Sequence, residues 1–320
     1  MYESQQSDLL SPEQMEIIFQ SNDCISSRYE DAQGYLLKTR HTVFPGITLL
    51  YKDFHRANST IHTDSPGSNI LVIEHCLEGR VEFRMKDDSF YLTAGDVVLR
   101  RTDGSKRIIH FPAETYRGIN IHIDLEKTPR CFACILADVD VEPATLLKKF
   151  GLDDNSFHFL RKNEHLAHIF KEFYSIPESV QKGYLKVKIL EILLFLTGME
   201  LPEYDVPKRR LSKTQVRIAT DAHAYLAEHM HEHITIDSLA KHFGTSQTQL
   251  KTSFRLVYGT SVQGFICEQK MRAAARMLQE SDRKITEIAS EFGYANASKF
   301  STAFRRIMGY TPAQYRINME

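Results

Sequence analysis

The chain has no tryptophan, five cysteines in 320 residues, and no apolar run long enough to cross a bilayer. Each shortage excludes something. Cys24, Cys76, Cys131, Cys134 and Cys267 are too few and too scattered for a disulfide framework, so reduced thiols are expected. The most apolar stretch, residues 189–196, is interrupted by Glu191 and falls well short of the roughly 20 residues a membrane helix needs, so no membrane partner is expected. Glu3, Asp8 and Glu13 open the chain with no basic lead or apolar core, which fits neither a secretory signal nor a transit peptide and points to a cytoplasmic protein. An excess of one charge is missing too, with 40 Lys and Arg against 41 Asp and Glu. That balance hides a division. From Lys208 onward there are 17 basic and 10 acidic residues, a surplus of +7, which leaves −8 on the preceding 207 residues. The basic end suits a polyanion and the acidic part should avoid one.

What is present reads as two domains of an α+β protein. Short strands are expected at 47–54, 70–76, 81–85, 90–92, 96–101, 107–111 and 116–124. They are separated by turn signals at Ser65-Pro66-Gly67, Glu78-Gly79, Asp87-Asp88 and Ala94-Gly95-Asp96. Seven closely spaced strands suggest a small sandwich or barrel. From about Thr145 the pattern turns helical, with segments at 163–174 and 183–196. The second carries Leu185, Ile189, Ile192, Leu193 and Leu196 on one face, too apolar to leave in water, so it packs on the barrel or forms a dimer seam. Pro202 and Pro207 followed by Lys208, Arg209 and Arg210 mark a linker at 201–212, between a first domain at 1–200 and a second at 213–320.

The second domain contains an internal duplication. At an offset of 49, Ile236, Leu239, Ala240, Phe243 and Gly244 match Ile285, Ile288, Ala289, Phe292 and Gly293. At an offset of 50, Leu250, Phe254, Arg255, Gly259, Ser261 and Phe265 match Phe300, Phe304, Arg305, Gly309, Thr311 and Tyr315. Such self-similarity marks a repeated structural unit. Each copy reads as helix, tight turn, helix. Gly244 and Gly293 sit where the first helix stops in a left-handed conformation, and Ala240 and Ala289 are small where two helices approach. The second helices open at Ser246 and Asn296, both favoured caps. Leu250 with Phe254, and Phe300 with Phe304, anchor them inward. The opposite faces then carry Thr248, Lys251 and Thr252 in one copy and Ser298, Lys299, Ser301 and Thr302 in the other. In a helix-turn-helix these residues reach base edges of double-stranded DNA, while Ser246, Arg255, Asn296, Arg305 and Arg306 meet phosphates. A joining helix at 264–280 could set the two reading helices about 34 Å apart, one turn of duplex. The reading positions lack arginine and glutamine, so DNA shape and thymine-methyl contacts by Thr248 and Thr252 are expected to supply much of the specificity.

Residues 236–316 resemble the DNA-binding domain of the AraC/XylS family of transcription regulators. The resemblance rests on Ile236-x-x-Leu239-Ala240, Leu250-x-x-x-Phe254-Arg255-x-x-x-Gly259, Ala275-x-x-Leu278, Ile285-x-x-Ile288-Ala289-x-x-x-Gly293-Tyr294 and Phe300-x-x-x-Phe304-Arg305-x-x-x-Gly309-Tyr310-Thr311-Pro312-x-x-Tyr315-Arg316. It departs in the joining helix, where the family shows Arg-Leu and this chain reads Met271-Arg272. Residues 44–125, through Leu77-Glu78-Gly79 and Phe90-Tyr91-Leu92-x-Ala94-Gly95-Asp96-Val97, resemble the family's N-terminal cupin-like effector domain. The likeness implies a cupin-like β-barrel with flanking helices, a dimer seam on Leu185, Ile189, Ile192, Leu193 and Leu196, an activator's contact with RNA polymerase, and a homodimer. A small-molecule effector would lie in the barrel among Phe54, His75, Phe83, Tyr91, Arg101, Tyr116 and His122. The stretch Phe111-Pro112-x-x-x-Tyr116-Arg117-Gly118-Ile119 is similar to regulators of siderophore uptake, which suggests an iron-siderophore complex.

No catalytic residue, metal or cofactor is expected. A cupin enzyme would need a His-x-His pair, a Glu and a distant His, and the strand region has no such set. Cys131-Phe132-Ala133-Cys134 is a lone C-x-x-C with no second pair, and reads as buried thiols. His229, His231 and His233 close a predicted helix, where imidazoles favour the negative end of the dipole. The rival reading is a cupin-type enzyme, or a small-molecule binding protein whose C-terminal helices mediate protein contacts. The missing metal set and the +7 charge argue against it.

Overall fold

Apolar side chains recur at every second residue through much of the first 124 residues, and strands follow from that period. The computed structural model describes residues 9–10, 14–56, 59–62, 68–84, 88–104, 108–129, 142–153, 156–161, 163–201, 210–229, 232 and 234–318. The chain divides into two compact units, 1–210 and 211–320. The linker residues 202–209, the Cys131–Cys134 pair, and His231 and His233 lie outside the described residues.

The first unit is built from β1 (Leu9–Leu10), β2 (Glu16–Gln20), β3 (Cys24–Asp31), β4 (Gly34–Phe44), β5 (Ile47–Arg56), β6 (Ser59–His62), β7 (Ser68–Glu78), β8 (Arg80–Arg84), β9 (Asp88–Thr93), β10 (Val97–Asp103), β11 (Ile108–Phe111), β12 (Thr115–Asp124) and β13 (Phe157–Leu160). One sheet runs β13-β10-β7-β12-β5-β4-β3-β2, and a second carries β1-β6-β11-β8-β9. The β7–β8 turn needs Gly79. Its φ is +81°, and a Cβ there would sit 2.0 Å from the Thr115 carbonyl oxygen. Between the sheets lies an apolar cluster of Phe54, Cys76, Tyr116 and Val98 from the larger sheet with Val81, Phe83, Leu92 and Phe111 from the smaller.

The other face of the larger sheet is covered by helices. α1 (Pro143–Lys149), α2 (Glu164–Glu172) and α3 (Gln181–Gly198) share a core with Leu49, Leu71, Ile73 and Ile121. The seven strands expected between 44 and 125 are present within a few residues. Strands β1 to β4, β6 and β13 were not expected. β3 and β4 alternate too weakly to be seen, and β13 interrupts a stretch that otherwise reads as helix.

The expectation of a dimer seam on α3 is corrected. Leu185, Ile189, Ile192, Leu193 and Leu196 are all buried, at most 2% exposed, in the core that α3 makes with the sheet of its own chain. The same face cannot also be a surface for a second copy. The bland alternative, packing on the strands, is what burial of a face this apolar produces.

After a short strand at Arg210–Ser212, the second unit is built of helices: α4 (Lys213–Glu228), α5 (Ile236–His242), α6 (Gln247–Tyr258), α7 (Val262–Glu280), α8 (Ile285–Glu291), α9 (Ala297–Met308) and α10 (Pro312–Asn318). Ser212 starts α4 and Thr235 starts α5, each with a reciprocal capping box. Two separate cores form on the two ends of α7. Val262 and Phe265 join Leu250, Phe254 and α4 residues Ile218, Ala222 and Leu226. Met271, Ala274, Ala275 and Leu278 join Ile288, Phe300 and Phe304. With 19 residues, α7 is about 28 Å long and serves as the strut between two near-copies.

Candidate nucleic-acid interface

Each copy places its second helix by the same local devices. Gly244 and Gly293 turn the chain at φ +60° and +83°. Ala240 and Ala289 are buried where the paired helices touch. Ser246 caps α6, its Oγ accepting from the Gln249 amide at 3.1 Å, and Asn296 caps α9, its Oδ1 accepting from the Ser298 amide at 2.7 Å. The Gln247 side-chain amide donates to Asp237 Oδ1 at 3.0 Å and ties α6 to α5. Both second helices end in left-handed glycines, Gly259 and Gly309, at φ +81°.

Those devices leave one face of each helix to solvent. In α6, Thr248, Lys251, Thr252 and Arg255 are exposed, at i, i+3, i+4 and i+7, and Leu250, Phe254 and Val257 are buried behind them. In α9, Ser298, Lys299, Thr302, Arg305 and Arg306 are exposed and Ser301 is half-buried, backed by Phe300 and Phe304. The Thr302 hydroxyl donates to the Ser298 carbonyl at 2.9 Å, which spends its proton inside the helix. Arg306 leans back, with Nη2 donating to Cys267 Sγ at 3.6 Å, and that thiol also lies 3.6 Å from the Tyr294 hydroxyl. Lys251, Arg255, Lys299 and Arg305 make no ion pair among the described residues. Where the sequence departs at Met271-Arg272, Met271 is buried and Arg272 pairs with Glu268 at 2.9 Å.

The seven effector candidates divide by strand phase. Phe54, Phe83 and Tyr116 lie in the apolar cluster between the sheets, and His122 faces the same interior farther along β12. Three do not belong there. His75 is on the helix-covered face, stacked on Phe170 with ring centroids 4.4 Å apart, and burial drops its pKa to about 4 against the opposing pull of Asp96. Arg101 shares that face, paired with Leu71 in register. Tyr91 pairs with Glu82, on the opposite side of β9 from the inward Leu92. Glu82 itself is drawn down to about 2 despite burial, by His110 at 2.9 Å and by Arg84. His229 closes α4 with Nδ1 2.8 Å from the Tyr225 carbonyl oxygen, a helix-end bond.

Missed by sequence reasoning were the buried polar groups facing inward from the larger sheet, Lys38, Lys52, Glu74, Arg100 and Asn120. Their signal was a polar residue at every second place on strands otherwise apolar, legible only once register is known. Among the described residues, no group of three His, Cys, Asp or Glu side chains is placed to hold a metal ion, and no helix is long and apolar enough to cross a membrane.

A helix-turn-helix domain family model matches residues 239–318. The regulatory protein SoxS of Escherichia coli (strain K12) is 34% identical over 100 residues, covering 31% of this chain and 94% of SoxS. The xylose operon regulatory protein of Haemophilus influenzae is 25% identical over 338 residues, 93% of this chain and 86% of that protein. Among solved structures, the C-terminal domain of AraT, a response regulator from Geobacillus stearothermophilus, is 31% identical, covers 32% of this chain and 84% of that one, and gives a TM-score of 0.30.

Proposed function

We propose, since the chain belongs to the AraC/XylS family of transcription regulators, that α6 and α9 enter successive major-groove windows of one duplex and that a small molecule held between the sheets of the first unit sets how firmly they bind. The observation that carries the first part is the pair of exposed polar faces, each backed by buried aromatic or aliphatic anchors on its own end of α7. Thr248, Lys251 and Thr252 read base edges from one helix, and Ser298, Lys299, Ser301 and Thr302 from the other. Arg255, Arg305 and Arg306 meet phosphates. Ser246 and Asn296 spend an acceptor on capping and keep an O–H and an N–H to offer the backbone of the DNA. With lysine the only strong donor on either reading face, duplex shape and thymine methyls supply much of the selectivity.

A gel-shift series at increasing salt tests this directly. Neutralised phosphates release counterions, so log affinity should fall linearly with log salt, by roughly 0.9 for each phosphate contacted. An affinity indifferent to salt would return the helices to the rival reading, a module for protein contacts.

The second part rests on a relative aligned over 93% of this chain, the xylose operon regulatory protein, and on the two facing sheets. A cupin-like effector domain in a cytoplasmic, non-enzymatic regulator, with RNA polymerase as a further partner, is the reading this favours. The effector must prefer one arrangement of the protein, and a tenfold preference corresponds to about 1.4 kcal/mol. Nothing between the sheets singles out an iron-siderophore complex, because Phe111 and Tyr116, which suggested it, are packed on each other with centroids 4.6 Å apart. A homodimer, on this reading, uses a surface other than the buried face of α3.

A further inference from the structure

Thr39, His41 and Val43 alternate along β4 onto the helix-covered face of the larger sheet, where Val43 shares a core with Leu185 of α3. Toward the edge strand β2 that core stops, and a cavity of about 560 Å³ opens between β2–β4 and the start of α3. Its volume suits a small organic molecule. It lies on the opposite side of the larger sheet from the apolar cluster between the sheets, so a ligand here is additional to any held in that interior.

The walls divide by chemistry. Phe19, Val43 and Leu185 are apolar, and Phe19 is 55% exposed. All six large apolar side chains that the described residues of the first unit leave exposed stand on the two elements bounding the cavity: Ile17, Ile18 and Phe19 on β2, and Val180, Tyr184 and Val187 on or just before α3. Apolar surface gathered at a cavity mouth marks a binding site, whereas the same residues scattered singly would not. The charged groups of the wall are Asp23, Glu178 and Lys182. Lys182 Nζ is bonded to Asp23 at 2.6 Å, and Ser21 donates to the same carboxylate at 3.3 Å, so that pair is internally neutral. Glu178 makes no ion pair among the described residues. Burial lowers the pKa of His41 and raises that of the Cys24 thiol, so at neutral pH neither adds a charge. The start of α3 contributes at most about half a positive charge, and the lining stays negative.

We propose that this cavity binds a small organic amine, its apolar body against Phe19, Val43 and Leu185 and its ammonium group drawn to Glu178. An aromatic wall at Phe19 also favours a cation near its face. An acid of the same shape would meet Glu178 and could gain Lys182 only by displacing Asp23. A neutral molecule meets neither attraction nor repulsion at Glu178 and should fall between the two.

Isothermal titration of the full-length protein with tryptamine, tryptophol and indole-3-propionate, which share one apolar body, is the test. Tryptamine should bind at least about tenfold more tightly than indole-3-propionate, with tryptophol between them. Glu178→Gln should remove most of that preference and leave tryptophol unchanged. Lys182→Met should act in the opposite direction, tightening tryptamine by about threefold or more, because it strips Asp23 of its counter-charge. Phe19→Ala should weaken all three ligands. The three side chains are exposed, so their replacement should leave the fold intact, which thermal unfolding checks. No binding of tryptamine, tighter binding of the acid, or a preference that both charge variants leave untouched would overturn the assignment. None of these outcomes depends on DNA binding or on a ligand between the sheets.

Discussion

In the first helical pair a lysine, Lys251, stands between Thr248 and Thr252 on the exposed face of α6. At the matching place in the second pair stands Ser301, half-buried, while Arg305 keeps the place of Arg255 and the further cations Lys299 and Arg306 stand on the flanks of α9. Behind those faces the two copies are almost the same, from the left-handed glycine of the turn to the inward pair of large side chains. The buried side fixes how each helix is presented, so it tolerates little change. The exposed side is free to differ, and there the copies have taken different chemistry. They also recruit their third helix from opposite directions, with α4 preceding the first pair and α10, through Tyr315, following the second.

If the two cores are independent, the largest single-residue effect should stay within one copy. Phe254 and Phe304 are both fully buried, and replacing either by alanine should remove about 3–5 kcal/mol. Hydrogen exchange should then speed up in α5 and α6 for Phe254→Ala and in α8 and α9 for Phe304→Ala. Loss of protection in all four helices from either variant would mean that α7 makes them one cooperative unit.

Acid should separate the copies next. His223 on α4 is stacked between Tyr258 and Phe265, with ring centroids 4.1 and 4.3 Å away, and burial lowers its pKa to about 4. Its unfolded value is near 6.5, so the unfolded chain takes up the proton first. The stability that neutral His223 contributes is therefore complete above pH 6.5 and drains away as pH falls toward 4, by at most about 3 kcal/mol. No histidine follows His242 in the sequence, so the second pair has no such liability. Hydrogen exchange across this pH range should show α5 and α6 loosening before α8 and α9, and His223→Phe should abolish the difference.

The duplication was legible because helix pairs are local. Turn glycines, caps and i,i+4 anchors lie within about 20 residues of one another, and all of them can be read from spacing. In the first unit the same kind of reading found seven strands and then failed on their faces. His75, Tyr91 and Arg101 were placed in the interior, and Lys52 and Glu74 were passed over. A shift of one residue turns a side chain to the other side of a sheet, and only pairing with a distant strand decides it. The α3 face failed for a related reason, since its apolar residues demand a partner without saying whether it is a sheet or a second chain.

The difference at the centres of the reading faces predicts a smaller, chemical asymmetry. Lys251→Ala should cut the slope of log affinity against log salt by about one if the ammonium meets a phosphate. If it meets a guanine, the variant should instead relax selectivity at one base pair by about 1–3 kcal/mol. Ser301→Ala, at the corresponding place, should do neither to the same extent. Binding-site selection on the two variants measures both. A larger loss at Ser301 would show that the second copy, despite its smaller side chains, carries more of the base recognition.

The smallest expected effect tests the feature the copies share. Gly244 at φ +60° has no neighbour within 4 Å of the place a Cβ would occupy, and Gly293 at φ +83° has only Lys270 Nζ at 3.9 Å, an ordinary contact. Alanine at either place meets no clash, so its cost is the left-handed backbone alone, about 1 kcal/mol. Asparagine, which tolerates that conformation, should recover part of it. Thermal unfolding of the four single variants should give matching losses at the two turns. A clearly larger loss at Gly293 would assign a role to Lys270, whose Nζ donates to the Phe292 carbonyl at 3.3 Å and so braces the second turn from α7.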